Sequence, residues 1–311
     1  MSKTFSIAFY NLENLFDPLE TTKTLDRDFT PNGRYSWSED KYQKKITNLS
    51  KTIAKIGLTR CDTPPILIGV CEVENETCLN DLVQSSSLKS FGYGFVFHES
   101  PDRRGIHVAL LYQKSHFTVE KNTPISVGYS NDQEIEGTRD ILHIKGRLFK
   151  QSVNLIINHW PSRSDGTKST EHKRLNASKE VQGVIDKINR SEQEAKIIVM
   201  GDFNDEPSSG SLSPILDQGF ENPMLEFQKL KKGSVKFKGK WIMFDQILFN
   251  HHLKKSTQFE YLSTQIYVEP SLIQKSGKHR GSPKRTFNGS YYLGGYSDHF
   301  PVFTYFNLLE S

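Results

Sequence analysis

The sequence VMGDFNDEP, residues 199–207, marks a point where an apolar segment ends in reactive side chains. Residues 197–200 have the composition of a buried strand, and Gly201 follows them directly. Because side chains alternate along an extended chain, Asp202 and Asn204 face the same side. A carboxylate can take a proton or bind a metal, and a carboxamide can donate a hydrogen bond to an oxyanion. Since loops after strands commonly carry catalytic groups, this stretch predicts part of an active site.

The same pattern, an apolar segment with a polar residue inside it or at its end, recurs in five other places. A charge in or beside a buried strand costs free energy unless it is paired or bound to a metal. Six such segments therefore predict one site at which their polar side chains converge. The additional polar residues are Asn11 after 5–9, Glu72 after 65–70, His159 after 153–157, Asp245 within 242–249, and Asp298 with His299 before 302–306.

This ordered series resembles the endonuclease/exonuclease/phosphatase superfamily, which includes deoxyribonucleases, abasic-site endonucleases, sphingomyelinases and inositol polyphosphate phosphatases. The motifs GDFN at 201–204 and SDHFPV at 297–302 carry most of the resemblance. It extends from FYNLENLFD at 9–17 to GGYSDHFPVF at 294–303. The alternation of strands and helices alone indicates only an α/β or α+β protein. The resemblance implies a four-layer α/β sandwich, with two packed mixed β-sheets flanked by helices, and a site at one end between the sheets.

Two helices are predicted from hydrophobic periodicity. The first begins after Ser38 as N-cap and ends at Gly57, with its buried face formed by Tyr42, Ile46, Leu49, Ile53 and Ile56. The second covers residues 171–189, with a buried stripe of Leu175, Val181, Val184, Ile185 and Ile188.

Other segments suggest local structure less directly. Residues 105–112 and 117–120 are predicted to form a hairpin-like pair, whereas Glu74 and Asp205 are expected to face solvent or cap a helix.

The chain lacks a linker rich in Gly, Pro or Ser, so we expect one domain over residues 1–311.

Bulk composition restricts the environment of the protein. No window of about 18 apolar residues exists, which argues against a membrane span. Polar residues interrupt the amino-terminal segment too early for a signal-peptide core. The three cysteines form no metal-binding pair, and Cys71 is expected to be a small buried apolar residue. We therefore expect a cytoplasmic protein, and a monomer.

Positive charge is concentrated in two late segments of the chain. The basic loops, residues 228–240 and 274–287, contain six and five Lys or Arg residues respectively and no acid. Outside them, 29 basic residues face 36 acidic ones. Because both loops lie close in sequence to Asp245 and Asp298, they predict attraction of a polyanion, most simply nucleic acid, with DNA favoured over RNA.

The candidate residues suit hydrolysis of a phosphoric ester. No Cys or Ser nucleophile motif is present, so direct attack by water is the simplest hypothesis. Carboxylates and carboxamides are oxygen ligands that favour Mg²⁺ or Mn²⁺, while structural zinc would need thiolates or closely spaced histidines. The resemblance implies that Glu72 is the principal metal carboxylate, that Asn11 binds the metal or the scissile phosphate, and that Asp298 is a second carboxylate on the metal side.

The remaining roles also follow from the resemblance. Asp202 aligns or deprotonates the attacking water, and Asn204 donates to the phosphate. His299 stabilises the pentavalent transition state while Asp245 holds its ring, a pairing that would raise the pKa of His299. His159 is similar to a second histidine of the deoxyribonuclease branch, which could protonate the leaving oxygen.

Three further residues complete the predicted site. The resemblance implies that Arg139 contacts a substrate phosphate, and Arg163 is a second candidate for this role. A planar guanidinium suits phosphate because it can bind it through two hydrogen bonds. Glu99 aligns with an acid that supports the second histidine.

Three functions stay open at this point. The leading one is metal-dependent hydrolysis of DNA phosphodiesters. The second is a phosphatase or phosphodiesterase that acts on a small phosphorylated molecule or a lipid head group, for which the basic loops would be unnecessary. The third is a non-catalytic binding module on the same fold, which the complete set of acids and histidines disfavours.

Overall fold

The computed structural model describes residues 3–19, 26–131, 134–163 and 166–309. The strands of these residues are β1 (Lys3–Leu15), β2 (Leu67–Val73), β3 (Tyr93–Phe97), β4 (His107–Gln113), β5 (Phe117–Ile125), β6 (Gly128–Asn131), β7 (Glu134–Gly137), β8 (Ile141–Leu148), β9 (Gln151–His159), β10 (Ile197–Asp202), β11 (Phe220–Glu221), β12 (Val235–Phe237), β13 (Lys240–Ile242), β14 (Asp245–Asn250), β15 (Phe259–Ile266), β16 (Phe287–Asn288), β17 (Tyr291–Tyr292) and β18 (Val302–Leu308). The helices are α1 (Glu39–Ile53), α2 (Glu76–Gln84), α3 (Glu171–Ser191), α4 (Ser213–Leu216), α5 (Met224–Lys229) and α6 (His251–Lys254).

Two six-stranded mixed sheets share one topology. The strand order is β15-β18-β1-β2-β4-β3 in the first sheet and β11-β14-β10-β9-β8-β5 in the second. In each sheet the two central strands, β1 with β2 and β9 with β10, are parallel. All other pairings in both sheets are antiparallel. A parallel pair needs a long crossover, and helices α1 and α3 lie within the two crossovers.

Alternating side chains divide the interior into three apolar layers. One face of each sheet packs against the other sheet, and the opposite face packs under helices. In β10, Ile198 and Met200 lie between the sheets, whereas Ile197 and Val199 lie under α3. In β1, Phe9 lies between the sheets and Tyr10 lies under α1. The predicted four-layer α/β sandwich is therefore confirmed.

The first predicted helix is confirmed at its start. The side chain of Ser38 accepts a hydrogen bond from the backbone N–H of Lys41, so it satisfies one of the free donors of the first turn of α1. The five residues predicted to form its buried face are all buried. The helix ends at Ile53 and not at Gly57, which lies four residues further on and has a left-handed φ of 78°.

Helix α3 begins at residue 171 as predicted. The prediction that Leu175 belongs to its buried apolar stripe is wrong. Leu175 is only half-buried, and the neighbouring Arg174 is fully buried instead. A buried guanidinium requires a partner, and Asp205 supplies it through a 2.7 Å contact with Nε. The burial of Arg174 thus depends on a residue 31 positions away.

Two other local predictions have clear outcomes. The hairpin-like pair is wrong, because β4 belongs to the first sheet and β5 to the second, so the chain crosses between sheets there. Cys71 is buried between the sheets, as predicted. None of the described helices has both the length and the apolar character needed to cross a membrane.

Gly201 is required by the packing of β9 against β10. A Cβ at this position would lie 2.4 Å from the backbone O of Asn158, which cannot move without breaking the strand pairing. We expect Gly201→Ala to lower the free energy of unfolding by about 1–3 kcal/mol, the usual range for overpacking. Urea unfolding followed by circular dichroism measures this effect.

Gly183→Ala is the control for that substitution. Gly183 lies inside α3, and apart from the adjacent helix backbone no atom of the described residues lies within 4 Å of an added Cβ. Alanine should therefore raise stability by about 0.5–1 kcal/mol. Equal stability of the Gly201→Ala protein and the wild type would show that the close approach of the two strands is not required.

Candidate active site at the ends of the central strands

The second sheet brings three of the predicted residues side by side. Asp202 at the end of β10 is in register with His159 at the end of β9 and with Asp245 at the start of β14. Parallel strands end at the same edge of a sheet, so the crossover through α3 places His159 and Asp202 together. Asp202, His159 and Asp245 are all buried.

The first sheet contributes Asn11, where the regular pairing of β1 with β2 stops, and Glu72 near the end of β2. The pairing of these strands becomes irregular after Asn11. Glu13, Asn14 and Glu72 have positive φ angles of 51°, 51° and 61°. A non-glycine residue in this region costs about 1–3 kcal/mol, and such strain is concentrated at functional sites. The backbone N–H of Asn14 donates to Glu72 Oε2 at 2.9 Å, and this hydrogen bond holds the Glu72 carboxylate in its orientation.

Asp202 lies at the centre of the group and connects the two sheets. Its Oδ2 accepts a 3.1 Å hydrogen bond from Asn11 Nδ2, across the interface between the sheets. Its Oδ1 accepts from the backbone N–H of Asn204 at 2.9 Å. The Nε2 atoms of His299 and His159 lie 3.8 and 3.9 Å from Asp202 Oδ2. The predicted residues of both sheets therefore converge.

His299 is paired with Asp245 as the sequence suggests. Its Nδ1 lies 2.7 Å from Asp245 Oδ2, and Asp245 is fully buried. Burial by itself lowers the pKa of His299, but the charges of Asp245, Asp202 and Asp298 outweigh burial and hold the pKa well above its ordinary value. These surroundings favour the imidazolium form of His299.

His159 has the opposite electrostatic setting. Burial lowers the pKa of His159 well below its ordinary value, and the nearby charges of Arg139, Arg104 and His299 lower it further. A neutral imidazole has no acidic proton of the kind that an imidazolium supplies. The prediction that His159 protonates the leaving oxygen is therefore opposed by its surroundings, which were not visible in the sequence.

The Asp202 carboxyl is tuned towards neutral pH. Burial, reinforced by the charge of Asp245, raises its pKa to about 7, although His299 and two hydrogen bonds act in the other direction. Such a carboxyl can exchange a proton near physiological pH.

The residues fit a hard divalent cation. Asp298 and Glu72 retain some exposure, with 32% and 13% of their side chains accessible. Within the described part of the chain, His159 Nδ1 and Asp245 Oδ1 are buried without a hydrogen-bond partner. Cys71 lies near His159 and Asp202, but burial holds the pKa of its thiol well above the ordinary value. Around the candidate site, two groups of described side chains lie close enough to share one ion: Asp202 with Asp245 and His299, and Asp202 with Cys71 and His159.

The three supporting residues have different outcomes. Arg139 is buried beside the site, where it donates to Asp102 Oδ2 at 3.1 Å and to the backbone O of Trp160 at 3.0 Å. Its Nε is buried without a partner among the described residues. Arg163 is half-buried, pairs with Asp205 and lies over the Phe244 ring.

Glu99 does not occupy the position predicted for it. Its side chain is exposed, and its charge acts on His107 rather than on His159. The buried acid in this region is Asp102, which pairs with Arg139. Glu99 therefore does not support His159 in this structure, and that assignment is corrected. The reason is the path of the loop after β3.

Comparison with known proteins identifies the family to which this chain belongs. The sequence profile of the endonuclease/exonuclease/phosphatase family matches residues 6–308. The chain belongs to this family. Members of the family are metal-dependent phosphoric ester hydrolases. No curated protein sequence matches the chain.

Solved structures of the family share the fold at low sequence identity. An endonuclease/exonuclease/phosphatase family protein of Bacteroides thetaiotaomicron has a TM-score of 0.63 at 15% identity, with 100% of both chains covered. D. rerio TDP2 complexed with single-strand DNA product has 0.58 at 14%, with 98% of this chain and 99% of that chain covered. A mannosyl-6-phosphatase of Bacteroides thetaiotaomicron has 0.58 at 16%, with 96% and 98% covered. At these identities the likeness shows the fold alone.

A second group of charged residues lies beside the candidate active site and was not predicted from the sequence. Glu13 is buried, and its carboxylate accepts from Arg285 Nε at 3.1 Å and from the backbone N–H of Thr286 at 2.6 Å. Arg285 also contacts Asp298 at 2.7 Å. Lys45 of α1 is fully buried and donates to Thr286 Oγ1 at 2.6 Å. Glu13, within the motif FYNLENLFD, was a signal for this group in the sequence, whereas no pattern indicated Lys45.

Glu74 and Asp205 do not face solvent as expected, because both residues are buried, and the N-cap of α2 is Asn75 and not Glu74. Asp205 accepts from Arg174 and from Ser211 Oγ at 2.6 Å, in addition to its pair with Arg163. Glu74 accepts from the backbone N–H of Asp17 at 2.9 Å. Asp205 therefore fastens the loop that carries Asp202 to helix α3.

The charge of Asp245 controls the protonation of His299. We expect Asp245→Asn to lower the pKa of His299 in metal-free protein, because the strongest contribution that favours the imidazolium is removed. A titration of the histidine Cε1–H signals by NMR measures the change. Asp298→Asn is the control, since Asp298 is more exposed and lies 3.9 Å from His299 Nε2, and it should lower the pKa less. An equal shift in both variants would contradict this assignment.

Proposed function

We propose that this protein hydrolyses phosphodiester bonds, most readily those of DNA, by direct attack of water with the help of a divalent metal ion. The observation that carries the proposal is that two neighbouring side chains, Asp202 and His299, have pKa values shifted so that one can accept a proton while the other stays protonated. Asp202, with a pKa of about 7, lies 3.8 Å from His299, which Asp245 holds protonated. One group can accept a proton while the other presents positive charge to a phosphoryl oxygen.

Residues of both sheets have distinct roles in this proposal. Asp202 orients the attacking water and takes its proton, while Asn11 holds the carboxylate in position. His299 donates a charged hydrogen bond to the phosphoryl oxygens, where negative charge increases in the transition state. Asn204 uses one N–H for the backbone O of Trp160 at 2.9 Å, which leaves its second N–H for the phosphate.

His159 and Arg139 complete the polar wall on the side of the second sheet. Because His159 is neutral, we assign it a neutral hydrogen bond to a substrate oxygen and not the transfer of a proton. The Nε of Arg139 is buried and has no hydrogen-bond partner in the described part of the chain, which supports a contact with an anionic group of the substrate.

Glu72, Asp298 and Asn11 would hold Mg²⁺ or Mn²⁺. When bound, the ion would neutralise phosphoryl charge and assist departure of the leaving oxygen. The hydrogen bond from Asn14 to Glu72 and the ion pair of Arg285 with Asp298 keep the two carboxylates oriented. Arg285 would have to share Asp298 with the ion.

The basic loops support a nucleic-acid substrate. The first loop is connected to the site directly, since Val235 forms a β-bridge with His299. The second loop contains Arg285, which contacts Asp298. Two segments rich in Lys and Arg that flank a phosphoric ester site suit a polyanion better than a small ester. The fold relative D. rerio TDP2, solved with single-strand DNA product, is consistent with this choice.

A phosphatase that acts on a small phosphorylated molecule is the second candidate. It is favoured by the fold relative from Bacteroides thetaiotaomicron described as a mannosyl-6-phosphatase, whose TM-score of 0.58 equals that of the TDP2 complex.

Substitution of Asp202 tests the chemistry. We expect Asp202→Asn to lower kcat on bis-p-nitrophenyl phosphate about 10²–10⁴-fold, because the amide cannot take a proton from water. The release of p-nitrophenol in Mg²⁺, Mn²⁺, Ca²⁺ or chelator measures the rate, and chelation should abolish it. Asp217→Asn, at an acid that follows α4 away from the site, is the matched control.

The same assay separates the candidate functions. Hydrolysis of the bis ester but not of p-nitrophenyl phosphate supports a diesterase, and the reverse supports the phosphatase. Full activity of the Asp202→Asn protein would overturn the mechanism. A folded wild-type protein that hydrolyses neither ester, DNA nor phosphosugars would favour the non-catalytic binding module.

Salt dependence tests the nucleic-acid substrate. Four exposed lysines of the first basic loop, Lys231, Lys232, Lys238 and Lys240, are replaced with Gln. We expect the slope of log K against log salt for a DNA duplex to become less steep by about 0.9 for each phosphate that the loop no longer neutralises. Fluorescence anisotropy at several salt concentrations measures the slope. The control replaces four exposed lysines of the outer helices, Lys44, Lys51, Lys179 and Lys187. Equal slopes for both variants and the wild type would exclude the loop from DNA binding.

A further inference from the structure

A polar cleft of about 110 Å³ lies where the two basic loops meet, next to the candidate active site. Asp298 forms part of its wall, so the cleft shares a residue with the proposed metal site. The two basic loops contribute its cationic side chains. Its charged or titratable lining residues are Lys236, Lys278, His279, Arg285 and Asp298.

The first basic loop is held against the catalytic residues by its backbone. Ser234 Oγ accepts from the backbone N–H of Asp245 at 3.3 Å, and Ser234 O accepts from the N–H of Phe300 at 2.8 Å. Val235 then bridges His299. Lys236 is the next residue, so its position is tied to that of the active-site histidine.

The second basic loop is also an ordered turn. The backbone N–H of Gln274 donates to Ser282 O at 2.8 Å, and that of Gly281 donates to Gln274 O at 2.9 Å. Gly281 has a left-handed φ of 80° and no side chain, which leaves room for Lys236. Lys236 Nζ lies 3.7 Å from the place a Cβ would occupy on Gly281. Lys236 therefore reaches from the first loop to the second.

The charge balance of the cleft favours an anion. Asp298 is the one acid among the described lining residues, and Arg285 already neutralises it at 2.7 Å. Lys236 and Lys278 face no other carboxylate in the described wall. Polar groups of Gln274, Ser276, Ser282 and Asn288 surround them.

We propose that this cleft is a second phosphate subsite, which binds the phosphate group next to the one that is hydrolysed. The inference rests on the proposed function, because Asp298 connects the cleft to the reacting centre. Along a nucleic-acid strand the phosphates repeat about every 3.4 Å of axis, so a neighbouring phosphate lies close to the scissile one. A small molecule with two phosphates presents the same chemistry, whereas an ester with one phosphate leaves the subsite empty.

Two matched substrate pairs test the subsite and identify the source of the phosphate. The nucleotide pair is TpT and its 5′- or 3′-phosphorylated forms, and the sugar pair is glucose 1-phosphate and glucose 1,6-bisphosphate. The readout is the ratio of kcat/KM between the two members of a pair. Wild type should prefer the member with the additional phosphate by about tenfold in one pair, the range of one charge-assisted hydrogen bond.

The double variant Lys236→Gln/Lys278→Gln should bring that ratio close to one. The control Lys238→Gln/Lys275→Gln removes one charge from each basic loop outside the cleft lining. It should change both members of a pair by the same factor and keep the preference. Preference within the nucleotide pair identifies a strand as the source, and preference within the sugar pair identifies a small molecule. A wild type without preference in either pair, or a preference that persists in the cleft variant, overturns the subsite.

Direct binding separates failure of the subsite from failure of the proposed hydrolysis. Inorganic phosphate is titrated calorimetrically into metal-free wild type, the cleft variant and the control variant. Binding that disappears only in the cleft variant supports the subsite even if no ester is hydrolysed. Equal binding in the three proteins, or none in the wild type, overturns it whatever the activity.

Discussion

The buried carboxylate of Asp202 joins the two sheets of this molecule at the candidate active site. It lies at the end of β10 in one sheet and accepts a hydrogen bond from Asn11 of β1 in the other, where the regular pairing of β1 with β2 stops. A buried carboxylate is costly without such partners. Any displacement of one sheet relative to the other would break this contact and separate Asp202 from the residues of the first sheet. The packing of the sheets and the geometry of the site are therefore one constraint.

The repeated topology explains how residues so distant in sequence reach one place. Each sheet contains one parallel pair, and each parallel pair is joined through a helix on the outer face. The carboxyl ends of both pairs point to the same end of the sandwich, because Asn11 and Asp202 touch there. The antiparallel neighbours β14 and β18 then bring Asp245 and His299 from later in the chain. Gly201 permits the close approach of β9 and β10 that this arrangement needs.

The sequence was informative where chemistry follows local pattern. Apolar segments that end in acids, amides or histidines predicted the strand ends, and the two long helices had clear periodicity. The buried charges Lys45 and Arg174 could not be predicted in this way, because each is stabilised by a partner from a different element. Glu99 failed for a related reason, since alignment with a motif does not determine the path of a loop. The extent of the domain and the oligomeric state stay predictions.

The two histidines show why the roles of the predicted residues needed coordinates. Both are buried and both lie within 4 Å of Asp202, so burial and that carboxylate do not distinguish them. The difference comes from the other neighbours: Asp245 and Asp298 surround His299, whereas Arg139 and Arg104 act on His159. One carboxylate is thus flanked by a cationic and a neutral imidazole. Two groups of the same type can take different roles in one reaction when their surroundings shift their pKa values in opposite directions. In the proposed function His299 therefore donates the charged hydrogen bond.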